Sequence, residues 1–276
     1  MEVLEVPARA EAAKTAPVRR KRRPVAPITG ILAAVVLAEL IPRTGLIAGD
    51  ALPPLSSVLA ELGRDAGHAE LWEALGRTVR TWLLGLAIAV AAGVVAGFVI
   101  GLMPWLRAAT ASTVEFLRPI PSVALIPAVI LIFGTGFESG VTLIVYAGFW
   151  QVLVQVLYGV QDIDPVARET ARSYGFSWWA ELRHVVWPTA LPFVFTGIRL
   201  AAAVALVLAI TGELVIGTPG LGQLISVAQS SGATTEMFAL VLLTGVLGVL
   251  VNVLFRFGER LTLSWHPSIR RAGGAR

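Results

Sequence analysis

Between Trp82 and Met103 the chain carries 22 consecutive residues without a charged side chain, and Gly140 to Val160 is uncharged in the same way. At 1.5 Å per residue each run is long enough to cross about 30 Å of hydrocarbon as a helix. No water reaches the backbone at that depth, so each peptide N–H and C=O must find its partner inside the protein, as a helix ensures. The rest of the chain has to be arranged around such spans. With 56% hydrophobic and 14% charged residues and a mean hydropathy of +0.76, the sequence carries more apolar surface than a water-soluble core can hide. The expectation is an all-α, polytopic membrane protein, with lipid as its first partner.

Six spans are read in order. Ile28 to about Ile47 is the first, interrupted by Glu39, Pro42 and Arg43; a basic run before a short apolar stretch also resembles a signal peptide, but the later spans need no cleaved leader. Trp82–Met103 is the second, and Ala108–Phe133, broken by Pro119, Pro121 and Pro127, is the third. Gly140–Val160, Pro188–Gly212 and Met237–Phe255 complete the set. Residues 48–76 are polar enough to lie outside the bilayer, with 55–59 and 70–72 as amphipathic interfacial helices. Residues 214–235, with Gly217, Pro219, Gly220, Gly222 and Gly232, suit a broken or re-entrant segment protected by protein. Gly93, Gly97 and Gly101, four apart, suit close helix packing, and the eight tryptophans are expected mostly at span ends as interface anchors. The resulting division is 1–27 as a disordered cytoplasmic tail, 28–76 as the first helix and an external segment, 77–260 as a core containing the loop 162–188, and 261–276 as a second cytoplasmic tail.

Charge assigns the sides. The N-terminal tail with its Arg19–Arg23 cluster, Arg107, the loop at 162–188 and the C-terminal tail hold most of the Lys and Arg, whereas 134–139 and 214–236 hold none. The positive-inside rule then makes both termini and the loop cytoplasmic in a cell (inner) membrane. The same rule accounts for the sequence pI of about 10.1 and the net charge of +4, and no nucleic-acid partner is implied. There is no cysteine, so disulfides, thiolate metal sites and Cys nucleophiles are excluded.

The longest polar interruption among the later spans is Asp162–Pro188. Asp164 is placed to cap a helix that opens with Pro165, Gly175 suits a left-handed helix end, and Ser177 is placed to cap a second helix. A helix–turn–helix at a membrane face is expected. Glu169, Ala171, Gly175, Val185, Trp187 and Pro188 stand at the spacing of the "EAA" loop, E-A-A-x3-G-x9-I-x-L-P, with Thr170, Val185 and Trp187 replacing the usual residues. The chain thereby resembles the permeases of binding-protein-dependent ABC importers. Leu117-Arg118-Pro119-Ile120-Pro121, Gly197-Ile198-Arg199-Leu200, Gly212-Glu213-Leu214 and Gly220-Leu221-Gly222 extend the resemblance to the nitrate, taurine and aliphatic sulfonate branch, over roughly residues 75 to 260. The resemblance implies a type I importer core and a transport subunit that is no enzyme itself. Its implied partners are two cytoplasmic ATP-binding cassette ATPase subunits, an external substrate-binding protein and a second, identical permease subunit. Glu169, Ala171, Arg172, Gly175 and Pro188 are the residues it implies for ATPase coupling, and a small anion such as a sulfonate, taurine or nitrate is the implied cargo.

Ionisable side chains inside spans are costly and mark candidate paths. Arg118 lies eleven residues from Arg107, and Arg199 eleven from Pro188, which puts both about 16 Å deep, near the midplane. Arg118, Arg199 and Glu213 are the candidate path residues. The alternatives are that Glu115 pairs with Arg118, that Arg199 serves as scaffold, and that Glu213 is an interfacial carboxylate rather than part of an external gate. His68, His184 and His266 lack metal-ligand spacing, and the only lysines, Lys14 and Lys21, belong to no phosphate-binding loop, so no cofactor is expected and ATP hydrolysis must come from a partner. An ion-coupled secondary transporter or a channel is the alternative; it predicts inverted repeats and intramembrane carboxylates, of which the chain has few.

Overall fold

In the computed structural model the described residues are 25–44 and 51–262, and among them there are helices and no strand. The expected tails, including the Arg19–Arg23 cluster, lie outside the described residues. In chain order the helices are α1 (Val25–Arg43), α2 (Leu55–Asp65), α3 (Ala69–Leu102), α4 (Pro104–Leu117), α5 (Ile126–Phe133), α6 (Phe137–Gln161), α7 (Pro165–Ser173), α8 (Trp178–Glu181), α9 (Trp187–Ile216), α10 (Leu221–Ser230) and α11 (Thr234–Thr262). Four stretches are long and apolar enough to cross a membrane: α3, α6, the run Trp178–Ile216 and α11. α4 and the segment Ser122–Phe133 pass the same test together, bent by 82°. α1 is the remaining apolar helix of the expected six.

Glycine spacing sets the core. A β-carbon on Gly85, Gly93, Gly97 or Gly101 of α3 would meet Ile144, Val152, Val156 or Val160 of α6, at 2.5 to 3.0 Å. Both sets of numbers rise together, so α3 and α6 run parallel. Two parallel helices require an odd number of crossings between them, and the bent pair α4–α5 is therefore one crossing rather than a loop that returns to its own side. α9 runs the other way: Gly148 faces Ala201 and Gly159 faces Ala190 and Phe193. Trp82 on α3 donates its indole N–H to the Ala202 carbonyl on α9, at 3.0 Å. The three helices bury one continuous core that includes Leu143, Ile144, Val152, Val156 and Ala205. Small residues allow that backbone approach, as in other membrane helix pairs.

The bend has a local cause. Pro119 and Pro121 lack the N–H groups that would continue the α4 ladder, and the freed Leu117 carbonyl accepts a hydrogen bond from the Tyr146 hydroxyl of α6, 3.1 Å. Pro188 acts differently. The helix that begins at Trp178 does not stop there but passes through a widened π-helical stretch, Leu182–Val186, into α9. A wider turn relieves the clash of a proline ring with the carbonyl four residues back.

Some boundaries differ from the sequence expectation. α3 starts at Ala69, so residues 70–72 belong to its first turn rather than to a separate interfacial helix. The Gly/Pro-rich segment after α9 contains α10, ten residues long, enough for about half a bilayer and protected by contacts with α3, α9 and α11. Trp82 is a core residue and Trp150 buries its indole nitrogen, so these two do not act as interface anchors. Trp72 does lie exposed at the start of α3, its indole N–H donating to the Ala66 carbonyl.

Candidate functional site

At the end of the bundle that holds the α3–α4 turn and the C-terminus of α11, the chain between α6 and α9 projects as a finger, α7 followed by α8. Asp164 caps α7 as expected, accepting from the Val166 N–H at 2.8 Å, and Pro165 occupies the first turn. Gly175 has φ +77°, and the Phe176 N–H bonds back to the Ala171 carbonyl while the Gly175 N–H bonds to Arg172, a helix end that requires the left-handed residue. Ser177 caps α8, accepting from the Ala180 N–H at 3.3 Å.

Glu181 holds the two helices of the finger at a set angle. It is 5% exposed, and its two oxygens accept separately, from Arg168 Nε at 2.8 Å and Arg172 Nε at 3.2 Å. One carboxylate gripping two guanidinium groups across a turn is stronger than an exposed pair, since burial limits screening. Ala171 is buried beneath this clamp. The outer surface is left bare: Val166 is 66% and Tyr174 81% exposed, and Phe176, Trp178 and Trp179 are also exposed. Glu169 is exposed as well.

On the adjacent α4 no residue is buried. A cavity of about 740 Å³ opens between α3, α4 and α6, and its polar lining includes Arg107, Glu115, Arg118, Gln151, Tyr158 and Gln161. Among the described residues none of Arg107, Glu115 and Arg118 forms an ion pair within 4.0 Å, so the Glu115–Arg118 pairing is not made. Arg199 is placed elsewhere. Its Nη1 contacts Glu259 of α11 at 2.9 Å, and it lines a separate cavity between α9 and α11. The two arginines read as neighbours in depth therefore share no chamber.

Glu213 lies at the other end of α9, 3% exposed. Its Oε2 accepts from the Thr78 hydroxyl of α3 at 2.9 Å and from the Gly222 N–H of α10 at 3.0 Å, and Thr78 in turn accepts from the Leu221 N–H at 2.9 Å. A β-carbon on Gly220 would overlap the Glu213 carboxyl, and one on Gly222 the Ile210 carbonyl. Those glycines are thus required for close approach rather than for an unusual φ.

Residues 89–262 match the family model described as the binding-protein-dependent transport system inner membrane component. The chain belongs to this family. The taurine transport system permease protein TauC of Escherichia coli (strain K12) is 31% identical to the permease over 224 residues, 79% of this chain and 82% of the relative. The putative aliphatic sulfonates transport permease protein SsuC of Bacillus subtilis (strain 168) is 30% identical over 246 residues, covering 86% and 87%. In fold the permease is similar to the membrane chain of an inward-facing MetNI methionine ABC transporter, with a TM-score of 0.61 at 19% identity over 70% of this chain and 95% of that one. The architecture is that of a type I ABC importer permease in a multi-pass membrane protein.

Sequence reasoning on the permease located the finger with its caps and turn, but not Glu181, Thr78 or Glu259. Glu181 lies 13 residues from Arg168 and 9 from Arg172. An acid on the far side of the predicted turn from two basic residues four apart was the available signal. Thr78 and Glu259 left none, since their partners are 135 and 60 residues away.

Proposed function

We propose that this permease is the membrane subunit of an ATP-driven importer, and that α7 and α8 dock on separate cytoplasmic ATPase subunits. The observation that carries this reading is the Glu181 clamp, whose buried carboxylate joins α7 to α8 while Val166, Tyr174 and Phe176 stay exposed on the finger. A row of apolar side chains facing water at considerable cost is expected to meet a partner. The finger shares its end of the bundle with Arg107, Arg256 and Arg260, which supports a cytoplasmic position for it and for both termini. On this reading 77–260 is the transport core, Glu169, Ala171, Arg172, Gly175 and Pro188 serve coupling, and an external binding protein delivers cargo to a pair of identical permease subunits.

The cargo is a small anion. Arg107, Arg118 and Glu115 line one wide cavity without pairing with one another, on a helix with no buried residue; a charged group as deep as Arg118 is tolerable when it faces a water-filled path. Relatives named for taurine and aliphatic sulfonates support the same class. Arg118 is assigned to the path, whereas Arg199 and Glu213, each engaged by its own neighbours, hold the path-forming helices in position. Vesicles containing the permease with its cognate ATPase should accumulate sulfonate only with ATP inside and binding protein outside. Uptake driven by an ion gradient without the ATPase would overturn the reading. Glu169→Lys and Gly175→Val should insert in the membrane but lose both transport and the ATPase.

A further inference from the structure

At the end of the bundle opposite the finger, α3, α6 and the C-terminus of α9 enclose a small cavity of about 190 Å³. Its wall includes Arg77, Arg80, Phe137, Glu213 and Thr218. One oxygen of Glu213 is fully used by Thr78 and Gly222. The other, Oε1, is buried and has no hydrogen-bond partner among the described residues. A carboxylate oxygen removed from water and left without a donor is unstable as it stands and favours any rearrangement that supplies one.

A suitable donor lines the same cavity. Arg77 is engaged by Glu73 at 3.1 Å. Arg80 has no carboxylate within 4.0 Å among the described residues; its guanidinium lies over the Phe137 ring of α6, 5.3 Å from the centroid. That stacking is weak and readily exchanged for a buried ion pair. Because Glu213 also holds the start of α10 through Gly222 and, by way of Thr78, Leu221, whatever binds its second oxygen acts on α3, α9 and α10 at once.

We propose that Arg80 and Glu213 form a two-position latch at the external mouth. In one position Arg80 rests on Phe137 and the mouth is unlatched, as here. In the other it crosses the cavity to Glu213 Oε1, adding an ion pair to the contacts by which Thr78 and Gly222 already join α3, α9 and α10, and releasing Phe137 of α6. The proposal rests on the importer reading above, because a latch that alternates needs a cycle that drives it.

The test uses the complete complex of permease, ATPase and binding protein in proteoliposomes. Glu213→Gln keeps an acceptor for Thr78 and Gly222 but cannot form the ion pair, so a purely structural role predicts wild-type behaviour. The latch predicts at least a fivefold fall in binding-protein-stimulated ATP hydrolysis and uptake. Arg80→Gln should give the same fall, Arg80→Lys should retain at least half of the activity, and the double variant should be no worse than either single one. Wild-type rates in Arg80→Gln, or losses that multiply in the double variant, would overturn the latch. Should Glu213→Gln fail to assemble, Arg80→Gln decides alone, since its side chain is exposed and its removal opens no core cavity. A wild-type complex without ATP-driven uptake would remove the importer reading and the latch together; an active wild type with indifferent variants removes only the latch.

Discussion

The core of α3, α6 and α9 and the finger of α7 and α8 are both helical, yet they treat their side chains in opposite ways. In the core, Leu143, Ile144, Val152 and Val156 have no accessible surface, and α3 glycines admit α6 side chains closer than any β-carbon would allow. In the finger the buried members are small or charged, Ala171 and Glu181, while the large apolar side chains point outward. Burial of apolar groups has little to offer a helix that is surrounded by lipid, so close backbone packing stabilises the core instead. The finger is stabilised by caps and a clamped carboxylate, which leaves its apolar side chains exposed. A region held by shape and a region held by polar contacts should fail in different ways.

The largest effect should come from the core. Gly97→Leu forces a side chain into Val156, where the β-carbon alone would sit 2.6 Å away; overpacking of this kind costs about 1–3 kcal/mol and more when the backbone has to separate. The variant should be lost as monodisperse protein in detergent chromatography, and if it remains folded the core is looser than described. Glu181→Ala comes next. It strands Arg168 and Arg172, but Arg172 is 65% exposed, so solvent moderates the loss to about 1–2 kcal/mol. Thermal unfolding of the membrane core should not move, while ATPase co-purification should weaken about tenfold.

Gly175→Ala tests the turn alone. Nothing lies within 4 Å of a β-carbon there, so only the positive φ opposes it, by about 1 kcal/mol. A fall of several-fold in ATPase affinity is expected, and a larger one would mean that the partner itself needs the space. The smallest effect on stability belongs to Tyr174→Ala and Arg118→Gln, within about 0.5 kcal/mol because both side chains are exposed. The first should weaken ATPase coupling and the second anion uptake, each measured on protein with an unchanged melting temperature. A destabilised Tyr174→Ala would erase the contrast between core and finger.

Much of the site was legible beforehand for reasons that are local. Asp164, Pro165, Gly175 and Ser177 act on peptide groups within a few residues, so a cap or a left-handed turn is written at fixed spacing. The glycine ladder at 93, 97 and 101 was legible because its period is that of a helix face. Depth along a span was legible too, but it did not predict company: Arg118 and Arg199, placed alike by counting, line different cavities, and of the two only Arg199 has a carboxylate within ion-pair distance. The fifth span was begun at Pro188 because a proline reads as a boundary, whereas the widened turn before it removes the clash and the helix is continuous from Trp178.

The amino-acid sequence by itself determined that this chain lies in a membrane as a bundle of helices with a capped polar finger between two spans, because hydropathy and backbone hydrogen bonding act within a single segment. Tertiary structure alone decided which charges are partnered. Glu181 with Arg168 and Arg172, Arg199 with Glu259, and Glu213 with Thr78 and the start of α10 are meetings of side chains on different elements. A charge buried in a low-dielectric bundle depends on groups within a few ångströms of it, and those distances exist only once the helices have packed.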